Sequence, residues 1–385
     1  MLTIDNLYKN RNGGLRNIGS TCYVNTLIQC LSVCDKFILF LLNNIEKYKE
    51  RLLTNKKESN YLIIELMSIY KSLVIDGNSL IPKRFIKCLS IKFNYINIYS
   101  QNDIHEILLM IINRLNEEIN YKENEIKFHF NKLLLDSKKE LLENDNENDN
   151  ENYNIMKEIC LKQWYNLHKK EYSEIIDLFY GHQISQIVCG HCNYIHHNHE
   201  YFNSINLELP TQMPVIELIS NSELSKKISK TLYDCLNEYT NSIILNNNKG
   251  NIIEWKCDKC NHKEKSEKII KFWDLPPVLA INLKRFNVIN NNLYKNNIEI
   301  IIPFELDCKK YILNKQSDIF KNKKYVLKSI GLHYGNIRGG HYVSVIRKSN
   351  KNINDWLIID DENIMEIKKE DIPMKNAYML FYNLE

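Results

Sequence analysis

Residues 14–25 read Gly-Leu-Arg-Asn-Ile-Gly-Ser-Thr-Cys-Tyr-Val-Asn, and this stretch places Cys22 at the start of a predicted helix. Ser20 and Thr21 precede the cysteine as N-cap candidates. Apolar residues then recur at helical spacing over residues 22–42, beginning with Val24, Leu27, Ile28 and Leu31. Free N–H groups and the helix dipole favour a thiolate there, although an isolated cysteine at such a position is more often a small buried apolar side chain. Cys22 is a candidate nucleophile.

The hydrophobic pattern changes along the chain from helical to β. A second helix is predicted to begin at Asp103, with Glu106 completing a capping box. Its apolar stripe consists of Ile104, Leu108, Ile111, Ile112, Leu115 and Ile119. Residues 121–160 are rich in Lys, Glu, Asn and Asp and predict a solvated low-complexity insertion. Short strands are predicted after Gly181, at 183–188, 278–283, 325–333, 342–346 and 356–359. The fold class is α+β.

Composition narrows the function classes. Hydrophobic residues make up 44% and charged residues 25% of the 385, which is typical of a folded globular protein. The 51 basic and 47 acidic residues are too balanced to attract nucleic acid or an anionic membrane, and we expect neither as a partner. The longest apolar run, residues 37–42, is too short to span a membrane. Eleven cysteines and an N-terminus without a signal-peptide core predict a reducing compartment, cytoplasmic or nuclear.

His341 is the candidate base for the thiol. It follows Gly339 and Gly340, where a chain can approach closely, and it begins an apolar strand. That position predicts a side chain at the mouth of a cleft, although a lone histidine at a strand start is more often structural. Asp360 ends the later strand Trp356–Ile359 and could orient the imidazole. Asp361 is the alternative, and paired acidic residues at a strand end are often only a solvated turn.

Two CxxC motifs predict a metal site. Cys189 and Cys192 form one pair, and Cys257 and Cys260 form the other, with the spacing that lets two thiolates bind one tetrahedral zinc ion. The 64 residues between the pairs suit two distant hairpin turns that meet in space. The alternative is a fold that keeps free thiols without metal, and His191 and His262 are substitute ligands. A disulfide is disfavoured in a reducing compartment.

Together these motifs resemble one known family. The stretch at 14–25 closely resembles the cysteine box of the ubiquitin-specific proteases, and residues 333–342 resemble the family's histidine box. Residues 275–286 and 377–382 resemble strands of its palm. The resemblance runs from Gly14 to Tyr382. It implies a single catalytic domain over 14–385 with a papain-like fold: a helical thumb (14–120), the insertion (121–160), β fingers that carry the zinc (180–275) and a β palm (276–385).

The resemblance also implies roles for individual residues. Cys22 is the nucleophile, His341 the base and Asp360, four residues after Trp356, the orienting acid. Asn17, five residues before the cysteine, would donate its side-chain amide to the oxyanion, although Asn before Gly commonly makes only a turn. The residues expected to hold the extended tail of ubiquitin are Gln101, Asp103, Glu106, His333, Gly339 and Gly340. Asp103 also has a competing role as a helix cap.

The activity that the resemblance implies is hydrolysis of the bond after the C-terminal glycine of ubiquitin. The partners are then ubiquitin and ubiquitinated proteins, with a structural zinc ion and no organic cofactor. Three rivals are an inactive ubiquitin-binding scaffold, a protease for a ubiquitin-like modifier, and a zinc-ribbon nucleic-acid binder. The last would need basic and aromatic residues clustered around the CxxC motifs, where the charges are instead mixed.

Overall fold

The computed structural model describes residues 2–55, 60–93, 99–143, 149–210, 230–245, 255–289, 292–314, 323–336 and 339–385. Helices dominate the first half of the chain. They are α1 Ile4–Leu7, α2 Cys22–Leu31, α3 Asp35–Asn43, α4 Ile45–Asn55, α5 Leu62–Tyr70, α6 Lys83–Lys92, α7 Ile104–Ile119, α8 Glu123–Glu143, α9 Asp149–His168, α10 Glu174–Phe179 and α11 Leu232–Thr240. A π-helical turn, Lys71–Asp76, extends α5, and short 3₁₀ turns lie at Lys309–Tyr311, Lys369–Asp371 and Met374–Asn376.

Strands dominate the second half. They are β1 Gly181–Val188, β2 Ile195–Phe202, β3 Ile205–Glu208, β4 Lys230–Thr231, β5 Ile243–Leu245, β6 Ser266–Asp274, β7 Val278–Lys284, β8 Phe286–Ile289, β9 Asn292–Lys295, β10 Ile300–Ile301, β11 Glu305–Leu306, β12 Tyr325–Asn336, β13 Gly339–Arg347, β14 Asp355–Asp360, β15 Asn363–Lys368 and β16 Ala377–Leu384. The larger sheet has the order β15-β14-β13-β12-β16-β7-β3, with β11 beside β12, and a four-stranded sheet has the order β2-β1-β6-β5. The predicted α+β fold is confirmed, and all five predicted strands are present.

The large sheet separates two apolar clusters. Along β7, Val278 and Ala280 face the cluster that the N-terminal helices complete, whereas Leu279, Ile281 and Leu283 face the other cluster, which includes α11. Side chains of a strand alternate between the two faces of a sheet, so a continuous apolar run is what a strand covered on both faces needs. The sheet is therefore a buried layer, and α2 packs on its β12 and β13 strands.

The helix predicted over residues 22–42 is wrong in one respect. It is two helices, α2 and α3, whose axes meet at 89°. The break lies at Ser32, whose hydroxyl donates to the carbonyl of Gln29 at 2.7 Å and accepts from Arg11 at 3.0 Å. A serine hydroxyl that bonds back to the preceding turn commonly bends a helix. The apolar residues on both sides of the break are buried alike, so their spacing alone does not reveal it.

The segment predicted as a solvated insertion has regular structure in its described part. Helices α8 and α9 occupy most of it, and Ile126 and Phe130 of α8 are buried, with Phe130 in an edge-on ring contact with Tyr172. The acidic Asn-rich residues 144–148 lie outside the described residues. Residues 180–275, the predicted fingers, contribute to more than one sheet. Within this segment, β3 pairs in parallel with β7 of the large sheet.

No single helix in the described ranges has both the length and the apolar character of a membrane span; α2 and α3 meet that test only when they are counted together across their bend.

A buried carboxylate ties α7 to α5. Glu118 accepts hydrogen bonds from the backbone N–H groups of Leu62 and Ile63, both at 2.9 Å, and from Arg114 at 3.0 Å. The first N–H groups of a helix lack intrahelical acceptors, so this side chain supplies them from another helix. Burial raises the pKa of Glu118, and the two backbone donors oppose that shift.

We predict that Glu118→Ala lowers the free energy of unfolding by about 2–3 kcal/mol, because it leaves two buried N–H groups without acceptors. The neighbouring Glu117→Ala is the matched control. Glu117 is half exposed, and its ion pair with Arg114 should contribute less than about 1 kcal/mol. Denaturant unfolding followed by circular dichroism measures both changes. Equal midpoints for the two variants would contradict this assignment.

Candidate active site

Cys22 is the first residue of α2. Its side chain is only 3% exposed, and Thr21 occupies the N-cap position. The N–H groups of the first helical turn have no acceptor within the helix, and together with the dipole they favour negative charge beside them. The cysteine therefore combines a buried position with an electropositive helix end.

His341 and Asp360 meet because of strand register. β13 pairs with β14 so that Ser344 lies opposite Ile359, which makes Asp360 a diagonal neighbour of His341 on the same face of the sheet. The Nε2 atom of His341 lies 2.6 Å from Oδ1 of Asp360. Both side chains are partly exposed, 40% for the histidine and 47% for the aspartate. This pair is open to solvent on one side.

The thiol of Cys22 is the largest cause of a pKa of His341 raised to about 9; burial lowers the pKa, and the bond to Asp360 raises it further. Since Nε2 faces the carboxylate, Nδ1 is the nitrogen left for the sulfur. Helix α2 and strands β13 and β14 thus bring together a thiol, an imidazole and a carboxylate.

Asp361 is hydrogen-bonded to residues on both sides of Cys22 in the sequence. Its Oδ2 accepts from Nδ2 of Asn17 at 2.9 Å, and its Oδ1 accepts from Nδ2 of Asn25 at 2.8 Å. Its backbone carbonyl accepts from the N–H of Leu15 at 2.9 Å, and its φ of 52° is left-handed. The carboxylate that contacts the histidine at 2.6 Å is Asp360, whereas that of Asp361 is hydrogen-bonded to two asparagines.

Asn17 closes the loop that precedes α2. Its Oδ1 accepts from the backbone N–H and the hydroxyl of Thr21, both at 3.1 Å, and from the N–H of Gly19 at 3.2 Å. One hydrogen of its amide is directed at Asp361, and an amide nitrogen carries a second. The turn-forming role is present in this structure, and the oxyanion role stays a prediction for the second hydrogen.

The side chain of Gln101 hydrogen-bonds to the backbone of β13 next to His341. Its Oε1 accepts from the N–H of Gly340 at 2.7 Å, and its Nε2 donates to the Gly340 carbonyl. No side chain fits at Gly340, because a Cβ there would lie 2.2 Å from Nε2 of His333. Gly339 has open space around it. These glycines let one polar side chain bind the backbone next to His341.

Asp103 acts as the predicted helix cap. Its Oδ1 accepts from the N–H groups of His105 and Glu106 at 2.7 and 3.3 Å, and its Oδ2 accepts from the hydroxyl of Tyr378. Both carboxylate oxygens therefore have partners within the chain. Glu106, one turn into α7, is exposed.

His333 differs from its predicted place beside a substrate. It is 4% exposed and packs among the rings of Phe286, Tyr342 and Tyr378. Burial, and then the charge of Lys295, lowers its pKa to about 4, which keeps the imidazole neutral. The residues that precede His333 on β12, from Leu327 to Leu332, are all buried as well, because both faces of the sheet are covered. His333 is thus a buried residue in this structure, and its contact with the tail stays a prediction.

The two CxxC motifs meet as two equivalent turns. Asn193 donates its N–H to the carbonyl of Cys189 at 3.0 Å, and Asn261 does the same to Cys257 at 2.9 Å; both asparagines have left-handed φ, 56° and 60°. The backbone N–H of Cys192, and then that of His191, lowers the pKa of Cys189 to about 7, which favours its thiolate.

The four sulfurs all lie within 4.8 Å of one another, and two of the distances between them match the edge of a tetrahedral site. Sγ of Cys189 lies 3.7 Å from Sγ of Cys260, and Sγ of Cys192 lies 3.8 Å from Sγ of Cys257. Thiolates bound to a tetrahedral ion at about 2.3 Å are separated by roughly 3.8 Å, whereas a disulfide needs about 2.05 Å. The cluster can hold a metal ion. His191 and His262 stack with 4.0 Å between ring centroids, and together with Cys260 they form an exposed group beside it.

Sequence reasoning missed the roles of Asn25 and Tyr23. Asn25 shares Asp361 with Asn17, and the hydroxyl of Tyr23 accepts from Asn102 at 2.9 Å. The signal was a polar residue, Asn25, in the buried face of an apolar helix, since a buried amide requires partners.

Comparison with known proteins identifies the family. The family model described as ubiquitin carboxyl-terminal hydrolase matches residues 13–382. This chain belongs to that family. Ubiquitin carboxyl-terminal hydrolase 4 of Saccharomyces cerevisiae is 26% identical over 397 residues, which cover 96% of this chain and 39% of the yeast protein. A probable ubiquitin carboxyl-terminal hydrolase of Acanthamoeba polyphaga mimivirus is 24% identical, with 99% of this chain and 92% of the viral protein covered.

The chain spans about two fifths of the length of the first yeast relatives that it matches. Among solved structures it is similar to the SAGA DUB module Ubp8/Sgf11/Sus1/Sgf73 bound to monoubiquitin, with a TM-score of 0.65, 21% identity, and coverage of 100% of this chain and 71% of that chain. A second structure of the module, bound to ubiquitin aldehyde, gives a TM-score of 0.64 at 22% identity. The papain-like fold of the hydrolase family is thus confirmed.

We predict that Cys22→Ala lowers the pKa of His341 from about 9 towards its ordinary value near 6.5, because the largest raising contact is lost while the burial remains. Histidine side-chain NMR over pH 4–10 measures the titration. Cys30→Ala, two turns further along the same helix and beside Ser329, should leave it unchanged. A His341 pKa near 9 in the Cys22 variant would contradict the thiol–imidazole contact.

Proposed function

We propose that this chain is a deubiquitinase that hydrolyses the isopeptide or peptide bond after the C-terminal glycine of ubiquitin. The observation that carries the proposal is the meeting of Cys22 with the hydrogen-bonded pair of His341 and Asp360, assembled from residues far apart in sequence. A thiol activated by an oriented imidazole is the machinery of acyl transfer. Family membership supports ubiquitin as the acyl donor, and two similar solved structures are bound to monoubiquitin and to ubiquitin aldehyde.

The first half of the proposed reaction makes a thioester. The Cys22 thiolate attacks the carbonyl carbon of the terminal glycine, and a carbon–sulfur bond forms as the carbonyl oxygen takes up the negative charge. His341, protonated through its contact with the thiol, then gives its proton to the nitrogen of the leaving lysine or peptide amine. The carbon–nitrogen bond breaks, and ubiquitin remains on the cysteine.

The second half releases ubiquitin. Neutral His341 takes a proton from a water molecule, and the hydroxyl oxygen attacks the thioester carbon. The carbon–sulfur bond breaks, the thiolate leaves, and the imidazolium and thiolate are restored. Asp360 acts throughout by holding the imidazole at its Nε2 atom and stabilising its charged form.

Charge on the oxyanion would be stabilised by the start of α2 and by Asn17. Backbone N–H groups at a helix N-terminus are oriented before the reaction and do not have to reorganise. The second amide hydrogen of Asn17 is the further donor, while Asp361 fixes the orientation of the first. A donor of this kind commonly contributes about 3 kcal/mol to the transition state.

The extended tail of ubiquitin would lie between α7 and the start of β13. Gln101, Glu106 and Gly339 are exposed along this path. The Gln101 amide and the Gly340 backbone bond to each other in this structure. They are the donors and acceptors that an extended peptide would use in their place. Asp103 would contribute its charge while it caps α7, and its neighbour Glu106 offers a free acidic face to the basic tail.

We further propose that the ion in the four-cysteine cluster is zinc and that the chain works in the cytoplasm or nucleus. Four thiolates at tetrahedral spacing are the ligand set of structural zinc sites. All eleven cysteines are free, which fits a reducing compartment. We also propose the division into thumb, fingers and palm that the sequence predicts, with β3 assigned to the sheet of the palm.

The test is release of a fluorophore from the C-terminus of ubiquitin. We expect turnover by the wild-type chain and a loss of about 10³–10⁴-fold or more in Cys22→Ala and His341→Ala. Cys30→Ala is the control, since it removes a thiol from the same helix without touching the site. Ubiquitin carrying a C-terminal electrophile should label Cys22 alone, as peptide mapping would show.

Two of the rival functions, the inactive scaffold and the protease for a ubiquitin-like modifier, have their own outcomes in this assay. A folded wild-type chain that binds ubiquitin but neither releases the fluorophore nor reacts with the electrophile is a scaffold. If only a ubiquitin-like modifier in a parallel panel is processed, the substrate assignment is wrong while the chemistry stands. Full activity in Cys22→Ala would overturn both the substrate assignment and the thiol chemistry.

A further inference from the structure

A second cluster of metal-ligating side chains lies away from the active site and from the four-cysteine cluster. It consists of Cys160, His182 and His199, whose ligand atoms all lie within 4.8 Å of one another. Cys160 is 1% exposed and His182 4% exposed. None of these residues has a part in the proposed cleavage of ubiquitin.

Local structure explains why the three side chains converge. Cys160, Trp164 and His168 recur every four residues along α9 and so share one helix face. On the sheet, β1 and β2 pair with Ile184 opposite His199, which makes His182 and His199 diagonal neighbours on one face. The ring of Trp164 packs on that of His182 with 5.4 Å between centroids and restricts its orientation. The helix face thus covers the histidine pair.

The spacing is close to that of a metal site. Nε2 of His182 lies 3.0 Å from Nδ1 of His199. Around a tetrahedral ion with bonds of about 2.0 Å to nitrogen and 2.3 Å to sulfur, ligand atoms lie roughly 3.3–3.6 Å apart. The imidazoles need almost no movement, and the thiol needs at most about 1.5 Å, which a rotation of the cysteine side chain provides.

A hydrogen bond between the two imidazoles accounts for the pair of nitrogens but not for the thiol beside them. One thiolate and two imidazoles form a borderline-soft ligand set, which favours Zn²⁺, Co²⁺ or Cu²⁺ over Mg²⁺ or Ca²⁺. Burial raises the pKa of the Cys160 thiol to about 12 in the metal-free chain, so an ion that binds there must displace its proton.

The cluster borders a cavity. Cys160 and His182 line a pocket of about 480 Å³ whose walls include Trp164, Trp273 and Tyr180. A site with three protein ligands keeps a fourth position open, as catalytic zinc sites do. Here that position would open onto an apolar, aromatic-lined space large enough for a small molecule.

We propose that Cys160, His182 and His199 form a second metal site, which binds a borderline divalent cation such as Zn²⁺ or Co²⁺ with its fourth coordination position open to this cavity. The ion would join α9 to the β1–β2 hairpin, two elements that pack against each other at this point.

The experiment uses the purified full chain. Bound zinc is measured first, Co²⁺ is then added, and the excess is removed by gel filtration. We expect zinc and cobalt together to reach two per chain in the wild type, with thiolate-to-cobalt charge-transfer absorption in the near ultraviolet. Cys160→Ala and His199→Gln should each hold one ion per chain. Cys88→Ala, which removes a buried thiol elsewhere, should keep two.

Two outcomes would overturn the proposal. The first is a wild-type chain that never exceeds one ion, and the second is cobalt absorption that persists in both Cys160→Ala and His199→Gln, since the cobalt would then occupy the four-cysteine cluster. His199 is partly exposed, so its variant should fold even if Cys160→Ala does not. Unfolding temperature supplies an independent readout: added Co²⁺ should raise that of the wild type but not that of His199→Gln.

Discussion

The carboxylate of Asp361 is the interaction on which the active site depends. It accepts from Asn17 and Asn25, on the two sides of Cys22, while its backbone carbonyl accepts from Leu15. Hydrogen bonds from neutral donors to a carboxylate contribute about 1.5–3 kcal/mol each when they are partly buried. Gly14 permits the contact, because a Cβ there would lie 2.7 Å from Cα of Glu362. The β14–β15 turn is thereby joined to the loop that carries the proposed nucleophile.

This joint explains how distant segments share one site. Asp360 and Asp361 are consecutive, so one turn orients the imidazole with the first carboxylate and the cysteine loop with the second. A left-handed φ at Asp361 lets the two side chains diverge in this way. Strand pairing also acts at the four-cysteine cluster, where β1 and β6 bring two separate turns close together. The pairing register of the strands therefore decides which side chains meet at the proposed active site.

The structural features that could be predicted from the sequence are those that a few neighbouring residues determine. The Asp103 cap, the start of α2 at Cys22, the strands and the two CxxC turns all have signatures within a few residues. The bend at Ser32 was missed because buried apolar residues continue on both sides of it, and α8 and α9 were missed because their composition resembles that of a solvated segment. The burial of His333 was not predicted because it depends on three aromatic rings from other strands. The bond from Asn17 to Asp361 spans 344 residues, and no local rule reveals it.

The most direct measurement is the kcat/KM for ubiquitin–fluorophore hydrolysis by Asp361→Ala and Asp361→Asn, beside the thermal unfolding of each. If Asp361 positions the cysteine loop, alanine should lower kcat/KM by about 100-fold or more. Asparagine, which keeps an acceptor oxygen and tolerates the left-handed backbone, should restore a substantial part. Both variants should remain folded at the assay temperature. An alanine variant that is folded and as active as the wild type would contradict the account, because the proposed nucleophile would then be positioned without this joint.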